Sequence, residues 1–155
     1  MHYRPYTPED FTALYAIEEI CFEPPFRFGR RYMRKLVDSH HAATWIAEED
    51  GQMAGFAIAE WMQEIGGVIA YIQTIEVAPD RRKLGVGGEL LRRVEGSARS
   101  VGALWIWLHV DAENAAAIRL YEANGYENEG REENYYSLGR AALIYGKQLE
   151  DGLAK

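Results

Sequence analysis

The spacing of apolar residues in the first forty positions predicts one strand and two helices. Alternation at residues 1–6 predicts a short strand. The segment 7–10 reads Thr-Pro-Glu-Asp, which is typical of a helix start. Apolar residues at helical spacing then continue to the two prolines at 24–25, which end the helix because proline cannot donate a backbone hydrogen bond. A second helix is predicted over 29–39.

From residue 42 the pattern changes to that of strands. Residues 43–48 and 53–59 predict a hairpin. A polar break at 63–67 separates this hairpin from a long strand at 68–77. Residues 103–110 are almost continuously apolar, which predicts a central strand covered on both faces.

The second half of the chain adds two helices and a final hairpin. One helix follows the long strand and ends near residue 102, with its apolar face expected from Leu84, Leu90, Leu91, Val94 and Ala98. Another helix is predicted over 114–123, closed by Asn124-Gly125. Residues 126–130 and 135–149 predict a hairpin whose turn is the charged segment 131–134. The order is strand, two helices, three antiparallel strands, helix, strand, helix and two strands.

Composition places the chain among ordinary globular proteins. Its 155 residues suffice for one domain over 1–155, and 48% are hydrophobic and 26% charged. The net charge of −7 argues against a nucleic-acid partner and suits a cationic acceptor such as an amine. Cys21 is the only cysteine, so neither a disulfide framework nor a zinc cluster is expected. Without a signal peptide or an apolar run of membrane length, we expect a cytoplasmic protein with no membrane partner.

The segment after the long strand combines three cations with three glycines: Arg81, Arg82, Lys83, Gly85, Gly87 and Gly88. Backbone N–H groups in the first turn of a helix have no partner, so this segment could bind a phosphorylated ligand. The Walker pattern is absent, and Leu90 occupies the third glycine position of the dinucleotide pattern. The residues alone are equally consistent with an ordinary strand-to-helix turn.

The spacing of Arg82, Gly85 and Gly87 matches [Gln/Arg]-x-x-Gly-x-[Gly/Ala] and resembles the pyrophosphate loop of the GNAT acetyltransferase superfamily. The resemblance implies the GNAT fold, an α/β fold with a mixed central sheet of about seven strands and four helices. It also implies acetyl-CoA as cofactor and no metal. The residues expected to hold the cofactor are Ile75, Val77, Arg82, Lys83, Leu84, Gly85, Val86, Gly87, Gly88, Asn114, Ala117 and Tyr121.

A more specific signature runs from Asn114 to Tyr126. It is similar to the Asn-x-x-Ala-x-x-x-Tyr-x-x-x-Gly-[Phe/Tyr] pattern of ribosomal-protein alanine acetyltransferases and eukaryotic N-terminal acetyltransferases. Helical spacing places Asn114, Ala117 and Tyr121 on one face. The resemblance implies that Asn114 contacts the pantetheine arm and that Tyr121 lies near the thioester sulfur and returns a proton to it. By its own pattern Tyr121 could equally be a core aromatic residue.

Two further positions resemble one branch of that superfamily. His109 lies where bacterial alanine acetyltransferases have a glutamate, whereas the methionine-reading eukaryotic branch has a histidine there, paired with a tyrosine in Tyr-Ile-x-Thr. Residues 71–74 read Tyr-Ile-Gln-Thr. The resemblance implies that Tyr71 and His109 hold a water between them and that His109 takes the proton of the amine through it. Without the Tyr71 match, a structural histidine would be the simpler interpretation of His109.

Acceptor contacts are also implied by resemblance. The segment Asn134-Tyr135-Tyr136 is placed like the tyrosines that hold the substrate backbone, although alternation would let only one of the two face a given side. Phe22 and Pro24 resemble an element that lines the pocket for the first side chain, with Glu23 inserted between them. The aromatic segment 22–28 could otherwise be a packed helix-helix elbow.

These residues suit acetylation of a chain N-terminus, because an α-amine with a pKa of roughly 7.7–8.0 needs only a modest base, whereas lysine, at about 10.4, needs a stronger one. Glu76 could assist as a base, but a solvated strand acid is the simpler interpretation. The leading hypothesis is therefore an acetyl-CoA-dependent acetyltransferase for peptide or protein N-termini, working as a monomer or homodimer. Acetylation of a small amine or a lysine is the alternative on the same scaffold. A non-catalytic acyl-CoA sensor is the alternative of another class.

Overall fold

The structure is a computed structural model that describes residues 1–149. Within this range seven strands and four helices follow in the predicted order. The prediction of one domain over 1–155 extends to residues 150–155, which lie outside the described residues. The elements are β1 His2–Pro5, α1 Phe11–Cys21, α2 Arg30–Val37, β2 Ala42–Glu49, β3 Gln52–Glu64, β4 Gly67–Val77, α3 Val86–Ser100, β5 Ala103–Asp111, α4 Ala115–Ala123, β6 Glu127–Ser137 and β7 Arg140–Gln148.

All seven strands belong to one mixed sheet in the order β1-β2-β3-β4-β5-β7-β6. Neighbouring strands are antiparallel except β4 and β5, which pair in parallel through the α3 crossover. The predicted fold class is confirmed. No helix among residues 1–149 combines the length and apolarity that crossing a bilayer requires.

Helices cover both faces of the sheet and produce two buried clusters. On one face α3 packs Leu90, Leu91, Val94 and Ala98 against the central strands, as predicted. On the other face α1 and α2 pack against β2 and β3. Leu84 was expected in the α3 face, but its side chain is 65% exposed because it precedes the helix, before the left-handed turn at Gly85.

The last hairpin differs from its prediction. Its turn is Leu138-Gly139, and the charged residues at 131–134 lie within β6. Gly139 has a φ of +80°, which a tight turn requires and glycine adopts without strain. Among residues 1–149, β6 pairs only with β7, so charged residues on this edge strand remain solvated without needing a loop. Asn134 has a φ of +57° where the register shifts, so the strand bulges there.

β5 also differs from its prediction, because only one face is covered by a helix. Ala103, Ile106, Leu108 and Val110 are buried in the α3 cluster. The alternate residues Trp105, Trp107 and His109 face the other side and are incompletely buried. The apolar run concealed an alternation because two of these positions are tryptophans, which are hydrophobic yet tolerate a partly open surface.

Candidate active site

A large cavity begins where two parallel strands separate. β4 and β5 pair from Val68 with Ala103 to Tyr71 with Trp107 and no further. The end of α1, the segment between α1 and α2, and the β6-β7 hairpin enclose the space beyond as a cavity of about 1280 Å³. The sequence-predicted residues in its wall are Phe22, Tyr71, Ile75, His109, Asn114, Ala117, Tyr121, Tyr135 and Tyr136.

Tyr71 and His109 are in direct contact in this wall. The Tyr71 hydroxyl oxygen lies 2.8 Å from Nδ1 of His109. Burial, with a further contribution from Tyr135, raises the pKa of Tyr71, so its hydroxyl stays protonated and can donate to Nδ1 when that nitrogen carries no proton. The expected water between the two residues is therefore wrong, since a distance of 2.8 Å leaves no room for one.

The other nitrogen of His109 has a partner that the sequence did not reveal. Nε2 lies 2.8 Å from Oε1 of Glu132 on β6. The ring of Tyr135 stacks on the imidazole with centroids 4.1 Å apart and planes 11° apart. Glu132 and Tyr135 are three residues apart, and the bulge at Asn134 allows both to face the same histidine. Nothing in the residue pattern of 131–134 distinguished Glu132 from its charged neighbours.

Tyr121 lies on α4 with its ring packed against Tyr126, centroids 5.6 Å apart. Burial raises the pKa of the Tyr121 hydroxyl, which therefore remains a proton donor. Among residues 1–149 that hydroxyl makes no hydrogen bond, and the residue lies in the cavity wall. Asn114 starts the same helix by accepting the backbone N–H of Ala117 at 3.1 Å. This cap sets the first turn of α4 against the cavity.

The glycine-rich loop leads from the end of β4 into α3. Gly85 has a φ of +80°, and the first bond of the helix runs from Glu89 N to Gly85 O. The preceding N–H groups, on residues 86–88, are the unpaired donors of the helix N-terminus. They follow two residues with positive φ, Lys83 and Gly85, and their position fits a pyrophosphate. The side chain of Val86 is buried, so only its backbone is accessible to a ligand, whereas the side chain of Leu84 is exposed.

The cations of this loop behave differently from one another. Arg82 donates Nε to the carbonyl oxygen of Val77 at 3.0 Å and Nη2 to Sγ of Cys21 at 3.4 Å. Arg81 pairs with Glu49 and Asp80. Lys83 has a φ of +67° and is exposed beside the helix N-terminus. Arg82 thus braces the loop through its side chain, whereas the Lys83 side chain is exposed to solvent.

Aromatic residues continue the wall beside the histidine, starting from Tyr135, which stacks on the imidazole. Tyr136 packs against Phe26 with centroids 4.7 Å apart, and Tyr135 packs edge-on against Tyr136 at 4.9 Å. Both tyrosines line the cavity, so the expectation that only one could face it is wrong. Pro24 is exposed and outside the wall, where Pro25 stands instead.

Glu76 is not a solvated strand acid. It is 2% exposed, Glu18 of α1 is 0% exposed, and the two carboxyl groups are neighbours. Thr74 donates its hydroxyl to Glu76 at 2.8 Å, and the backbone N–H of Phe28 donates to Glu18 at 2.9 Å. Burial, followed by the contact with Glu18, raises the pKa of Glu76 well above its ordinary range. The pair therefore retains a proton. The contact between these two side chains joins α1 to β4 next to the cavity.

The charge of the cavity wall is strongly negative. Its one guanidinium, Arg140, is bound to Asp111 at 2.9 Å and lies near Glu113. Such a wall favours a cationic acceptor over an anionic one. The described residues contain no group of three or more His, Cys, Asp or Glu side chains arranged to hold a metal ion. The carboxylates of the wall are Glu18, Glu23, Glu60, Glu64, Asp111 and Glu113.

The family can now be assigned. The family model described as "Acetyltransferase (GNAT) family" matches residues 11–126, which include the glycine-rich loop, the Tyr71-His109 pair and Tyr121. The chain belongs to this family. As a GNAT acetyltransferase it is an acyltransferase whose cofactor is acetyl-CoA, and the free helix N-terminus after Gly85 fits that cofactor.

Among the proteins similar to this chain are two N-acetyltransferases matched by sequence and one matched by structure. The [ribosomal protein bS18]-alanine N-acetyltransferase of Escherichia coli K12 is 36% identical over 130 residues, covering 82% of this chain and 81% of the relative. The catalytic subunit NAA10 of the N-terminal acetyltransferase A complex of Arabidopsis thaliana is 28% identical over 147 residues, covering 93% and 76%. The crystal structure of Arabidopsis thaliana NAA60 in complex with acetyl-CoA superposes with a TM-score of 0.84 at 23% identity, covering 96% and 98%, and supports the fold.

Proposed function

We propose that this GNAT acetyltransferase transfers the acetyl group of acetyl-CoA to the α-amine of a peptide or protein N-terminus. The observation that carries the proposal is the direct bond of Tyr71 to His109 in the wall of a cavity whose adjoining wall is aromatic. A histidine base suits an acceptor amine whose pKa is not far above 7, because a usable fraction is then already neutral. For α-amines this fraction is about a tenth near pH 7.

The residues of the chain have separable roles in this reaction. When bound, acetyl-CoA supplies an acetyl thioester whose carbonyl carbon the amine attacks. Backbone N–H groups of β4 near Ile75 and Val77, beyond the last pair with β5, would hold the carbonyl oxygen. The N–H groups of residues 86–88 and the Lys83 ammonium would hold the pyrophosphate, and Asn114 and Ala117 would contact the pantetheine arm.

Proton transfer follows the hydrogen bonds of the wall. The amine gives its proton to the Tyr71 oxygen as the Tyr71 hydroxyl gives its own to Nδ1 of His109. The Tyr121 hydroxyl gives a proton to the departing sulfur and is reprotonated from solvent. Each donor starts protonated because burial raises the pKa values of both tyrosines.

The acceptor chain enters between the aromatic wall and the strands. Tyr135 and Tyr136 face the backbone of its first residues, and Phe22 with Pro25 and Phe26 borders the first side chain. Support comes also from relatives whose names state protein acceptors, the bS18 alanine acetyltransferase and the N-terminal acetyltransferase A subunit. The negative wall favours an amine that arrives as a cation.

The proposal is tested by locating the product. A peptide with a free N-terminus and an internal lysine is incubated with acetyl-CoA, and tandem mass spectrometry identifies the acetylated nitrogen. We expect acetylation at the α-amine, across a panel that varies the first residue. Acetylation at lysine, or turnover of small amines with no peptide product, would contradict the proposal and favour the alternative acceptor.

A further inference from the structure

Glu132 is the one charged side chain among the described residues that contacts the imidazole of His109. The other contacts are the Tyr71 hydroxyl and the rings of Trp107 and Tyr135, none of which carries a charge. Oε1 of Glu132 lies 2.8 Å from Nε2, with the histidine side chain 10% exposed and the glutamate 53% exposed. This carboxylate therefore acts on the base from its solvent side.

We propose that Glu132 is a positioning residue for the base. By accepting the proton of Nε2 it fixes the imidazole with Nδ1 unprotonated, and Nδ1 is the atom that faces Tyr71. The negative charge also offsets the positive charge that arises on the imidazole when the proton of the amine reaches Nδ1. The second effect rests on the proposed function, whereas the first is a property of the resting protein.

The fold restricts this role to one of several neighbouring acids. Glu133 is adjacent, but its carboxylate pairs with Arg131 on the exposed side of β6. The bulge at Asn134 is held by the N–H of Gly139, which donates to Oδ1 of Asn134 at 2.6 Å. A regular strand would not place both Glu132 and Tyr135 on the histidine side, since side chains three apart face opposite ways. Glu133→Gln is thus a matched control for any change at Glu132.

The first test measures the proton on the imidazole directly. Ring ¹⁵N chemical shifts distinguish the two neutral forms, and among the four histidines the His109 signals are identified by their loss in His109→Gln. We expect the Nε2-H form in the parent protein and in Glu133→Gln. Glu132→Gln should keep it, since the amide oxygen also accepts, whereas Glu132→Ala should give a mixture. An unchanged ring in Glu132→Ala would overturn the proposal, whether or not any acceptor turns over.

The second test uses rates with whichever amine the enzyme acetylates. Glu132→Ala should lower kcat about fivefold, the size expected of a half-exposed charged pair, with an unchanged KM for acetyl-CoA. Glu132→Gln should recover part of this loss, and Glu133→Gln should match the parent. In a His109→Gln background Glu132→Ala should have no further effect, because it acts through His109. An equal loss in both backgrounds would overturn the proposal, whereas turnover confined to lysine or small amines would overturn only the proposed acceptor.

Discussion

The hydroxyl of Tyr71 on β4 bonds directly to Nδ1 of His109 on β5 at the point where the two strands separate. Tyr71 is the last residue of β4 paired with β5, opposite Trp107, and His109 lies two residues further on the same face. The parallel pairing thus fixes the base, and the strand separation that follows opens the space for the reaction.

If the two residues form one proton path, their substitutions should not be additive. Tyr71→Phe and His109→Gln should each lower kcat about a hundredfold, the lower range for acid-base catalysis, and the double variant should lose little more. Steady-state CoA release measures this. Tyr145→Phe is the control, since it removes a hydroxyl that bonds to Glu122 outside the cavity. Multiplicative losses in the double variant would mean that the residues act separately.

Tyr121 should be needed for turnover and not for cofactor binding. Tyr121→Phe should reduce kcat about a hundredfold, because the departing sulfur loses its proton donor, while the Kd for CoA measured by calorimetry stays within about twofold. Tyr126→Phe is the matched control, because Tyr126 packs edge-on against Tyr121 but its hydroxyl bonds to buried Glu95 at 2.7 Å. A Tyr121→Phe enzyme as active as the parent would make this tyrosine a packing residue.

Alanine substitutions at Gly85 and Gly139 should distinguish the effect of backbone strain on stability from an effect on cofactor binding. Both glycines have a φ of +80° and open space where a Cβ would stand, so alanine at either should cost about 1 kcal/mol of unfolding free energy. Only Gly85→Ala should also raise the KM for acetyl-CoA, because it alone displaces the first turn of α3. Thermal unfolding and initial rates measure the two effects. Equal KM values in both variants would show that the loop does not hold the cofactor.

The Glu18-Glu76 pair should make stability depend on pH. The pKa of Glu76 is raised in the folded protein above its ordinary value of 4.5, so the folded state keeps a proton that the unfolded state releases. The unfolding free energy must therefore fall as pH rises above about 4.5 toward the folded pKa. Glu76→Gln mimics the protonated form and should have a higher Tm than the parent at pH 8 but a similar Tm at pH 4.

The control for this effect is Glu19→Gln, which removes an exposed acid one residue from Glu18. It should leave the pH dependence of the Tm unchanged. If Glu76→Gln lowers the Tm at pH 8 as well, then the pair is ionised and paired with another group in the folded protein.

The negative wall predicts a charge preference in the acceptor. Peptides with lysine or arginine at the second position should have KM values several-fold below those with aspartate there, with similar kcat, and raising the salt concentration should narrow the difference. Glu64→Gln, at the mouth of the cavity, should reduce it. A preference that does not respond to salt would assign the selection to shape instead of charge.

The order of the elements was predictable because each change of hydrophobic period is local, and the wall residues Tyr71, His109 and Tyr121 followed from family resemblance. The turn of the last hairpin was not, since the charged residues 131–134 are as compatible with an edge strand as with a loop. Because the turn was predicted at 131–134, the contact of Glu132 with His109 was not predicted, since it depends on the bulge at Asn134 within the strand.

Glu76 shows a second limit of sequence patterns. An acid between two apolar residues in a strand normally faces solvent, but the partner that allows its burial, Glu18, is 58 positions away in α1. The same holds for Arg82, whose family motif is local while its bond to Cys21, 61 positions away, depends on the docking of α1 beside β4. Long-range pairs of this kind carry no local signal.

The α-amine acceptor is tested most directly by steady-state CoA release with two forms of one peptide that contains an internal lysine and begins with the preferred first residue. One form has a free α-amine, and the other is blocked at its α-amine. We predict turnover with the free peptide that disappears on blocking, and that Tyr71→Phe abolishes nearly all of it. Turnover that persists on the blocked peptide would contradict the proposed acceptor while leaving the fold and acetyl-CoA assignments intact.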